Sequence, residues 1–485
     1  MRYPLLLAFA FYLLLTIFAQ QIPYFWDNVA LVSNPAQFYY NTQFKTLILP
    51  LLLDTGHPPF YGYYIARCWQ FFGKDIAVSH WANLPFLIGI AWAYVGLCRY
   101  FLALDGQKAT NYLLFFCVLL LLTEPSLLTQ SVLATPDVAL VCGMLMALYG
   151  VVKQQNIVLS LGLCLMAAVS LRGLIHIPAI FLCHLVSLYF NKKNTLNFAQ
   201  ENTTIPLFLQ KNAFFLAYIP VAFLLIIWLV YHHQQAGFWL ENYHANWAVN
   251  YGTPTVKRFF LNWCIVAWRF LDQGRVFIWL IIGWIGVKNR VFARLSVPQK
   301  QLIVWILVWL MISGLPVSFR EIPIMHRYYI VHYLLIGLSA VSLLPNLKLK
   351  KQYLAFAFVL LAQITGHFWI YPQPISTDWD STLASMPYFS LKKVCDKYLQ
   401  DQKIPQTAVA AKFPLINSTQ QTHLTADTTH LQYIAANQLG QYRYVLYSNL
   451  SNDFTAAEIA YLQANYLPQK RWTNGCVQLV LYRQK

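Results

Sequence analysis

The chain has 485 residues, of which 58% are hydrophobic and 11% charged, whereas a soluble domain needs about 25% charged residues to wet its surface. Its 34 Lys and Arg against 17 Asp and Glu leave a formal net charge of +17. In a nucleic-acid binder that excess gathers on one wetted face or arm, but here the basic residues sit in short loops between apolar runs. Composition therefore excludes a soluble enzyme and a nucleic-acid partner, and requires lipid as the solvent for most of the chain.

After Met1-Arg2 the chain runs apolar from Pro4 to Ala19, and Gln20-Gln21-Ile22-Pro23 is a poor cleavage site, so this segment reads as a retained first transmembrane anchor. About 20 apolar residues cross a hydrocarbon core, and about eleven such segments are expected. They centre near Leu13, Ile90, Val118, Met144, Leu163, Ile180, Leu224, Leu280, Leu307, Leu335 and Val359. With a cytoplasmic N-terminus and alternating sides, the inner loops hold Arg2; Arg99 and Lys108; Lys153; Lys192, Lys193 and Lys211; Lys288, Arg290, Arg294 and Lys300; and Lys348, Lys350 and Lys351, opposed by Asp105 and Glu201. That is the positive-inside pattern of a bacterial inner-membrane protein.

The outer face then receives two long loops, from about Pro23 to His80 and from about His233 to Arg275. Both mix aromatics with scattered charges, as in Tyr24-Phe25-Trp26 and Phe238-Trp239-Leu240, a composition suited to helices lying in the interface. Everything beyond Tyr371 is outside as well. We expect a membrane domain over residues 1–371 and a small α/β domain over 372–485 on the outer, periplasmic side. In the latter, Leu391 to Gln400 and Thr455 to Tyr466 have helical spacing, while Thr407 to Ala411, Tyr442 to Tyr447 and Val477 to Tyr482 read as strands.

The nine cysteines show no CxxC or Cys/His metal spacing. Cys98, Cys117, Cys142, Cys164 and Cys183 lie in apolar runs, where a thiol packs as a small hydrophobe. Cys395 and Cys476 lie in the outer segment, and a disulfide between them is one pairing that the sequence permits. Sequons occur at Asn202, Asn417 and Asn449 and matter only in a source that glycosylates them.

Ionisable groups near a membrane are costly and point to function. Asp27 follows the first helix; Asp54 and His57 lie in Leu53-Asp54-Thr55-Gly56-His57-Pro58-Pro59; Asp137 opens a helix after Pro136; Arg172 lies in Ser170-Leu171-Arg172-Gly173; and Arg327 precedes Tyr328-Tyr329. All map to the outer face, and convergence from segments so far apart is the mark of a shared site. The structural alternatives are equally concrete. Asp27 can cap a helix starting at Asn28; Asp137 can cap its own; Arg172 can pair with Asp137 or Glu124; Arg327 can anchor at the interface. His57 is held extended by the prolines after it, and a helix starting at Pro58 would aim its positive end at an anion. Arg269, Arg275 and Arg320 share the face, as do His232, His233, His244 and His326, whose spacing selects no metal.

These motifs in this order resemble the GT-C superfamily of glycosyltransferases over roughly Tyr3 to Tyr371. The resemblance rests on an acid after the first helix, His57-Pro58-Pro59 followed by aromatics and Phe72-Gly73, Pro136-Asp137, Arg172-Gly173 and Arg327-Tyr328. Within that superfamily, the motifs look like those of the protein O-mannosyltransferases and the lipid A aminoarabinose transferases. The resemblance implies a GT-C-like bundle of about eleven transmembrane helices with interfacial helices in the first outer loop. It also implies a polyprenyl-phosphate-linked sugar as donor and a protein, lipid or glycan acceptor. By the same resemblance Asp27 is the catalytic base; His57, Arg172 and Arg327 bind the donor phosphate; and Asp54, Asp137 and Tyr328 support them. A carboxylate stripped of part of its water is a stronger base, and arginine grips phosphate through two parallel donors. Relatives often carry two adjacent acids where this chain has Asp27-Asn28, and the acid near the HPP motif usually stands closer than Asp54. Whether a divalent metal bound by Asp27, Asp54 and His57 takes part stays open. The competing readings are a multi-helix transporter or flippase, which should show inverted repeats and helices broken at the midplane, a non-catalytic assembly subunit, and a polysaccharide ligase or polymerase using a lipid diphosphate.

Overall fold

The computed structural model describes residues 3–485 except 104–110, 197–214, 241, 243–251, 253, 289, 322–323, 372–378, 436–437 and 452. Arg2, Asp105, Lys108, Glu201, Asn202, Lys211 and His244 lie outside the described residues. Every apolar centre read from the sequence falls in a helix: Tyr3–Ala19, Ile76–Phe101, Asn111–Thr123, Pro136–Lys153, Asn156–Val169, Leu171–Leu196, Ile219–Ala236, Val276–Lys288, Val297–Ser318, Ile330–Leu343 and Leu349–Gly366. Among the described residues six helices are long and apolar enough to cross a membrane, or eight if each of two bent pairs is one span. Tyr3–Ala19 and Asn156–Val169, with 17 and 14 residues, are shorter. The chain is a multi-pass membrane protein, and Ile219–Ala236 shows why: it is apolar almost throughout, yet only Val221 and His232 are fully buried. A helix that hydrophobic is stable on the rim of the bundle only if lipid covers it.

Two bent helix pairs organise one end of the bundle. Asn111–Thr123 and Pro125–Val132 meet at 56°, and Val256–Leu271 and Val276–Lys288 at 79°. Pro125 cannot donate to the preceding turn, and Gln273 and Gly274 both take positive φ, 53° and 80°, which no helix continues. A buried charge of one break pairs with a buried charge of the other: Arg275 donates to Glu124 and to Ser126 Oγ, at 3.1 Å in the latter case. Glu124 also caps the second half of its own span by accepting from Leu127 N at 2.6 Å, while the Arg275 guanidinium lies 3.5 Å over the Tyr333 ring. In a medium without water, removing one partner of such a pair leaves a bare charge and costs about 3–5 kcal/mol.

The long loop after the first helix forms a π-helical turn, Val29–Ser33, followed by helices Asn34–Asn41 and Phe60–Phe72. The last of these starts at Phe60 with Pro59 as its N-cap, two residues later than the expected start at Pro58, and His57 stays in the loop before it. Beyond the bundle a small C-terminal domain carries a five-stranded sheet of β1 (Val409–Ala411), β2 (Gln432–Tyr433), β3 (Tyr444–Ser448), β4 (Tyr466–Asn474) and β5 (Val477–Gln484) in the order β2-β1-β3-β5-β4. β1 runs parallel to β2 and β3; β5 is antiparallel to β3 and β4. Helices Pro387–Asp401 and Ala456–Asn465 occupy the segments with helical spacing. β4 escapes a reading by alternation because it contains Pro468 and an irregular register between Pro468 and Lys470, features that an edge strand tolerates. The Cys395–Cys476 disulfide is not formed: both thiols are free, with Cys395 buried and Cys476 exposed. Cys395 faces the domain core from its helix instead, as an apolar group would.

That core is shared with the membrane part. Phe25, Trp26 and Leu133 pack with Trp379, Tyr388, Leu391 and Cys395; Phe25 stacks on Tyr388 at 4.5 Å between ring centroids. Burying each large aromatic contributes about 1.5–3 kcal/mol, and Tyr24 N adds a hydrogen bond to Thr422 O at 2.9 Å. The segment that carries Asp27 is therefore clamped between bundle and domain.

Close approach of the second break to the last helix of the bundle generates a test. A Cβ on Gly274 would stand 2.1 Å from Ala362 O, and one on Gly366 2.1 Å from Gln273 O. Gly274→Ala is expected to lower the thermal midpoint of the purified protein, at a cost of more than about 1 kcal/mol because strain at positive φ adds to the clash. Gly283→Ala, where a Cβ meets nothing within 4 Å, should leave the midpoint unchanged.

Candidate active site

Arg327 is the centre of the site. It lies in the short 3-10 turn His326–Tyr329 that opens helix Ile330–Leu343, and its guanidinium is withdrawn from water, with 6% of the side chain exposed. Nη2 donates to Asp27 Oδ2. Nη1 stands 3.3 Å from Asp380 Oδ2 and 3.7 Å from Asp137 Oδ2. Asp137 passes its other oxygen to Arg172, which donates through Nη2. Two guanidinium groups and three carboxylates thus form one continuous array. The Arg172 guanidinium also lies 4.7 Å over the Tyr328 ring, a favourable cation–π contact.

The backbone aims the acids. Trp26 and Ala134 take left-handed φ, 53° and 52°, a region that L-residues with side chains seldom enter and that is held only by surrounding packing. Each lies just upstream of an acid, Asp27 or Asp137. Asn28 donates from Nδ2 to Leu133 O at 3.1 Å and so ties these two stretches together. Asp27 makes no side-chain cap on the π-turn, whose N-cap is Asn28, and no side-chain cap is made by Thr135 on the helix that Asp137 enters. Of the three acids, Asp27 is the open one: 37% of its side chain is exposed, against 2% for Asp137 and 9% for Asp380.

Several buried polar atoms around Arg327 have no hydrogen-bond partner, among them Arg327 Nε, Asp137 Oδ2, Thr135 Oγ1 and Trp26 Nε1. Buried polar groups are paired in more than about nine cases in ten, so these atoms are open to a further polar partner. Beside it opens a narrow pocket whose wall includes His57, Pro58, Ser170 and Arg172 together with Leu31 and Leu49. It has a polar end and an apolar flank.

The remaining candidates separate. His57 Nδ1 accepts from Leu171 N at 3.2 Å, which leaves the ring proton on Nε2. Burial, then the neighbouring Arg172, push its pKa down to about 4, so His57 is a neutral donor and not the cation that a phosphate would neutralise. Asp54 faces elsewhere: Oδ1 accepts from Gly56 N at 2.7 Å and Oδ2 lies 2.8 Å from His232 Nε2. It shapes the HPP loop. Glu124, an alternative partner of Arg172, is taken by Arg275; Arg269 donates from Nε to Ile324 O; His326 pairs with Asp272 at 3.0 Å; His233 stacks on Trp239. Among the described residues no three of His, Cys, Asp and Glu stand together as a metal site, so Asp27, Asp54 and His57 do not form a ligand set. Asp380 was missed by the sequence reading. Its signal was the pair of acids in Thr377-Asp378-Trp379-Asp380 just beyond the last apolar run.

No protein-family model matches the sequence, and no curated protein does. Among solved structures, the crystal structure of ArnT from Cupriavidus metallidurans bound to undecaprenyl phosphate is similar, with 12% sequence identity and a TM-score of 0.51 over 99% of this chain and 98% of that one. The chain has the GT-C fold. The apo state of the same ArnT is also 12% identical, with a TM-score of 0.48 over 98% of this chain and 97% of that one. In this fold the charged array joins the loop after the first helix, the start of helix Pro136–Lys153, the turn before helix Ile330–Leu343 and the approach to the C-terminal domain.

The neutral state of His57 is directly measurable. A carbon-13 histidine titration compared with that of His57→Gln should assign to His57 a resonance with a midpoint near 4; a midpoint near the ordinary 6.5 would contradict the burial of its ring.

Proposed function

We propose that this protein is an inverting glycosyltransferase that moves a sugar from a polyprenyl-phosphate carrier, of the undecaprenyl-phosphate kind, to an acceptor at the outer face of a bacterial inner membrane. The observation that carries the reading is the half-open carboxylate of Asp27 in contact with the buried guanidinium of Arg327. A base and an anion holder in contact are what displacement at an anomeric carbon requires. The fold shared with an ArnT solved with undecaprenyl phosphate supports the same reading.

In the proposed reaction the acceptor's nucleophilic atom forms a bond to the anomeric carbon and gives its proton to Asp27. The bond from that carbon to the phosphate oxygen breaks with its electron pair left on the phosphate. Arg327 and Arg172 stabilise this charge in a site largely without water, where fixed donors are worth more than solvent. His57 contributes a neutral hydrogen bond, Asp137 orients both arginines, and Tyr328 lies against the Arg172 guanidinium. Asp54 supports the loop through His232. The flank of Leu31 and Leu49 offers the lipid chain an apolar path, while the acceptor, whether protein, lipid or glycan, approaches the open side of Asp27. Residues 1–371 act as the catalytic membrane domain and 372–485 as an outer domain that borders the site. The excess of Lys and Arg on alternate loops orients the N-terminus to the cytoplasm and the C-terminus to the periplasm.

Purified protein supplied with a panel of polyprenyl-phosphate sugars should release polyprenyl phosphate in a sugar-dependent reaction. Asp27→Asn should lower turnover by about 10²- to 10⁴-fold, the usual contribution of a general base. Equal turnover in the variant would remove Asp27 as base, and a reporter fused after Lys485 that stays cytoplasmic would overturn the orientation.

A further inference from the structure

A site that binds a lipid phosphate through two buried arginines faces a difficulty in letting it go. The donor is a phosphodiester with one negative charge, whereas the released lipid phosphate is a monoester carrying about −1.5 to −2 at neutral pH. The product is therefore drawn to Arg172 and Arg327 more strongly than the substrate is, and without a counterweight the enzyme would hold its product.

Asp380 has the geometry of that counterweight. Its Oδ2 lies 3.3 Å from Arg327 Nη1, on a different terminal nitrogen from the one that meets Asp27. It is nearly closed to solvent, so it does not compete for the acceptor's proton as Asp27 can. It is also held in place. The Asp380 carbonyl accepts from Gln130 Nε2 at 2.7 Å, and the next carbonyl, Ser381 O, accepts from Gln273 Nε2 at 3.3 Å. Gln130 belongs to the second helix of the first bent pair and Gln273 to the break of the second, so the two bent pairs together pin the backbone that carries the Asp380 carboxylate. Asp137 is divided between Arg327 and Arg172 and cannot balance both.

Taking Arg327 as the group that holds the lipid phosphate, the geometry points to Asp380 as a positioning residue with a second effect: a fixed counter-charge that keeps Arg327 in place and weakens retention of the more highly charged product. Its negative charge acts on the phosphate through Arg327 and across the site, and it disfavours the monoester more than the diester because repulsion scales with the charge on the ligand.

The test is binding of undecaprenyl phosphate to the full chain in lipid nanodiscs, for wild type, Asp380→Asn, Asp380→Glu and Arg327→Gln. Asn keeps an oxygen that can accept from Arg327 Nη1 and removes only the charge. Asp380→Asn is expected to bind undecaprenyl phosphate about tenfold more tightly than wild type, a change of about 1.4 kcal/mol, and Asp380→Glu to remain close to wild type. Arg327→Gln should weaken binding by at least about tenfold. A residue that merely braces the fold would give unchanged or weaker binding in Asp380→Asn. That result, with binding still lost in Arg327→Gln, would overturn the role of Asp380 alone. Wild-type affinity in Arg327→Gln would overturn the phosphate assignment of Arg327 and this inference with it. Should Asp380→Asn fail to fold, an Asp380→Glu that binds more tightly than wild type would also contradict the proposal, since its charge is retained.

Discussion

A guanidinium taken out of water has to find its counter-charges within the protein, and Arg327 finds three, on segments separated by as much as 353 residues from Asp27 to Asp380. The loop after the first helix, the start of helix Pro136–Lys153 and the approach to the C-terminal domain each bring one carboxylate to the same side chain. Because an unmatched buried charge costs several kcal/mol, these segments cannot drift independently. The same constraint recurs at the two broken spans, where Glu124 and Arg275 neutralise each other and so fix the bends from which Gln130 and Gln273 reach the Asp380 segment. Packing then does the finer work. The left-handed backbone at Trp26 and Ala134 persists because Trp26 is buried against the domain core and Ala134 O receives the Tyr61 hydroxyl.

The C-terminal domain is part of this arrangement. Its helix Pro387–Asp401 supplies Tyr388 and Phe389 against Phe25, and Phe413 packs edge-on to Trp26. Lys412, next to Phe413, is bound by Glu458 at 2.6 Å and donates to Asp453 O at 3.0 Å. The Asp453 carboxyl is pushed up by loss of water and, against the pull of Lys412, by Glu458 and by Asp27 itself. Asp27 is within electrostatic reach of the domain, so a ligand that approaches the open side of Asp27 does so alongside the domain's charged edge.

Much of the fold was legible because lipid imposes a simple rule: long apolar runs become helices, and each of the apolar centres did. The grouping of Asp27, Asp137, Arg172 and Arg327 was legible for a related reason, since charge beside a membrane is rare and these residues fall on one face. What sequence could not resolve was direction. Asp54 shares that face but turns to His232, a pairing across 178 residues that no local pattern announces. His57 was legible as a candidate for phosphate but not in its charge, which the packing around its ring and the donor on Nδ1 decide. Asp380 was hidden by its context, a polar stretch beyond the bundle where an acid needs no explanation until its burial is known. The cysteine pairing failed on the same ground, because Cys395 is turned into the core while Cys476 is exposed. β4 was obscured by its proline and by its place at the sheet edge.

The central claim is that Arg327 exchanges a carboxylate for a phosphate. An experimental structure of the full chain with undecaprenyl phosphate tests it most directly. The account expects the phosphate oxygens within hydrogen-bond distance of Arg327 and Arg172, with Asp27 released from Nη2 and Asp380 still on Nη1. A phosphate bound away from both arginines, with the Asp27–Arg327 pair intact, would contradict it.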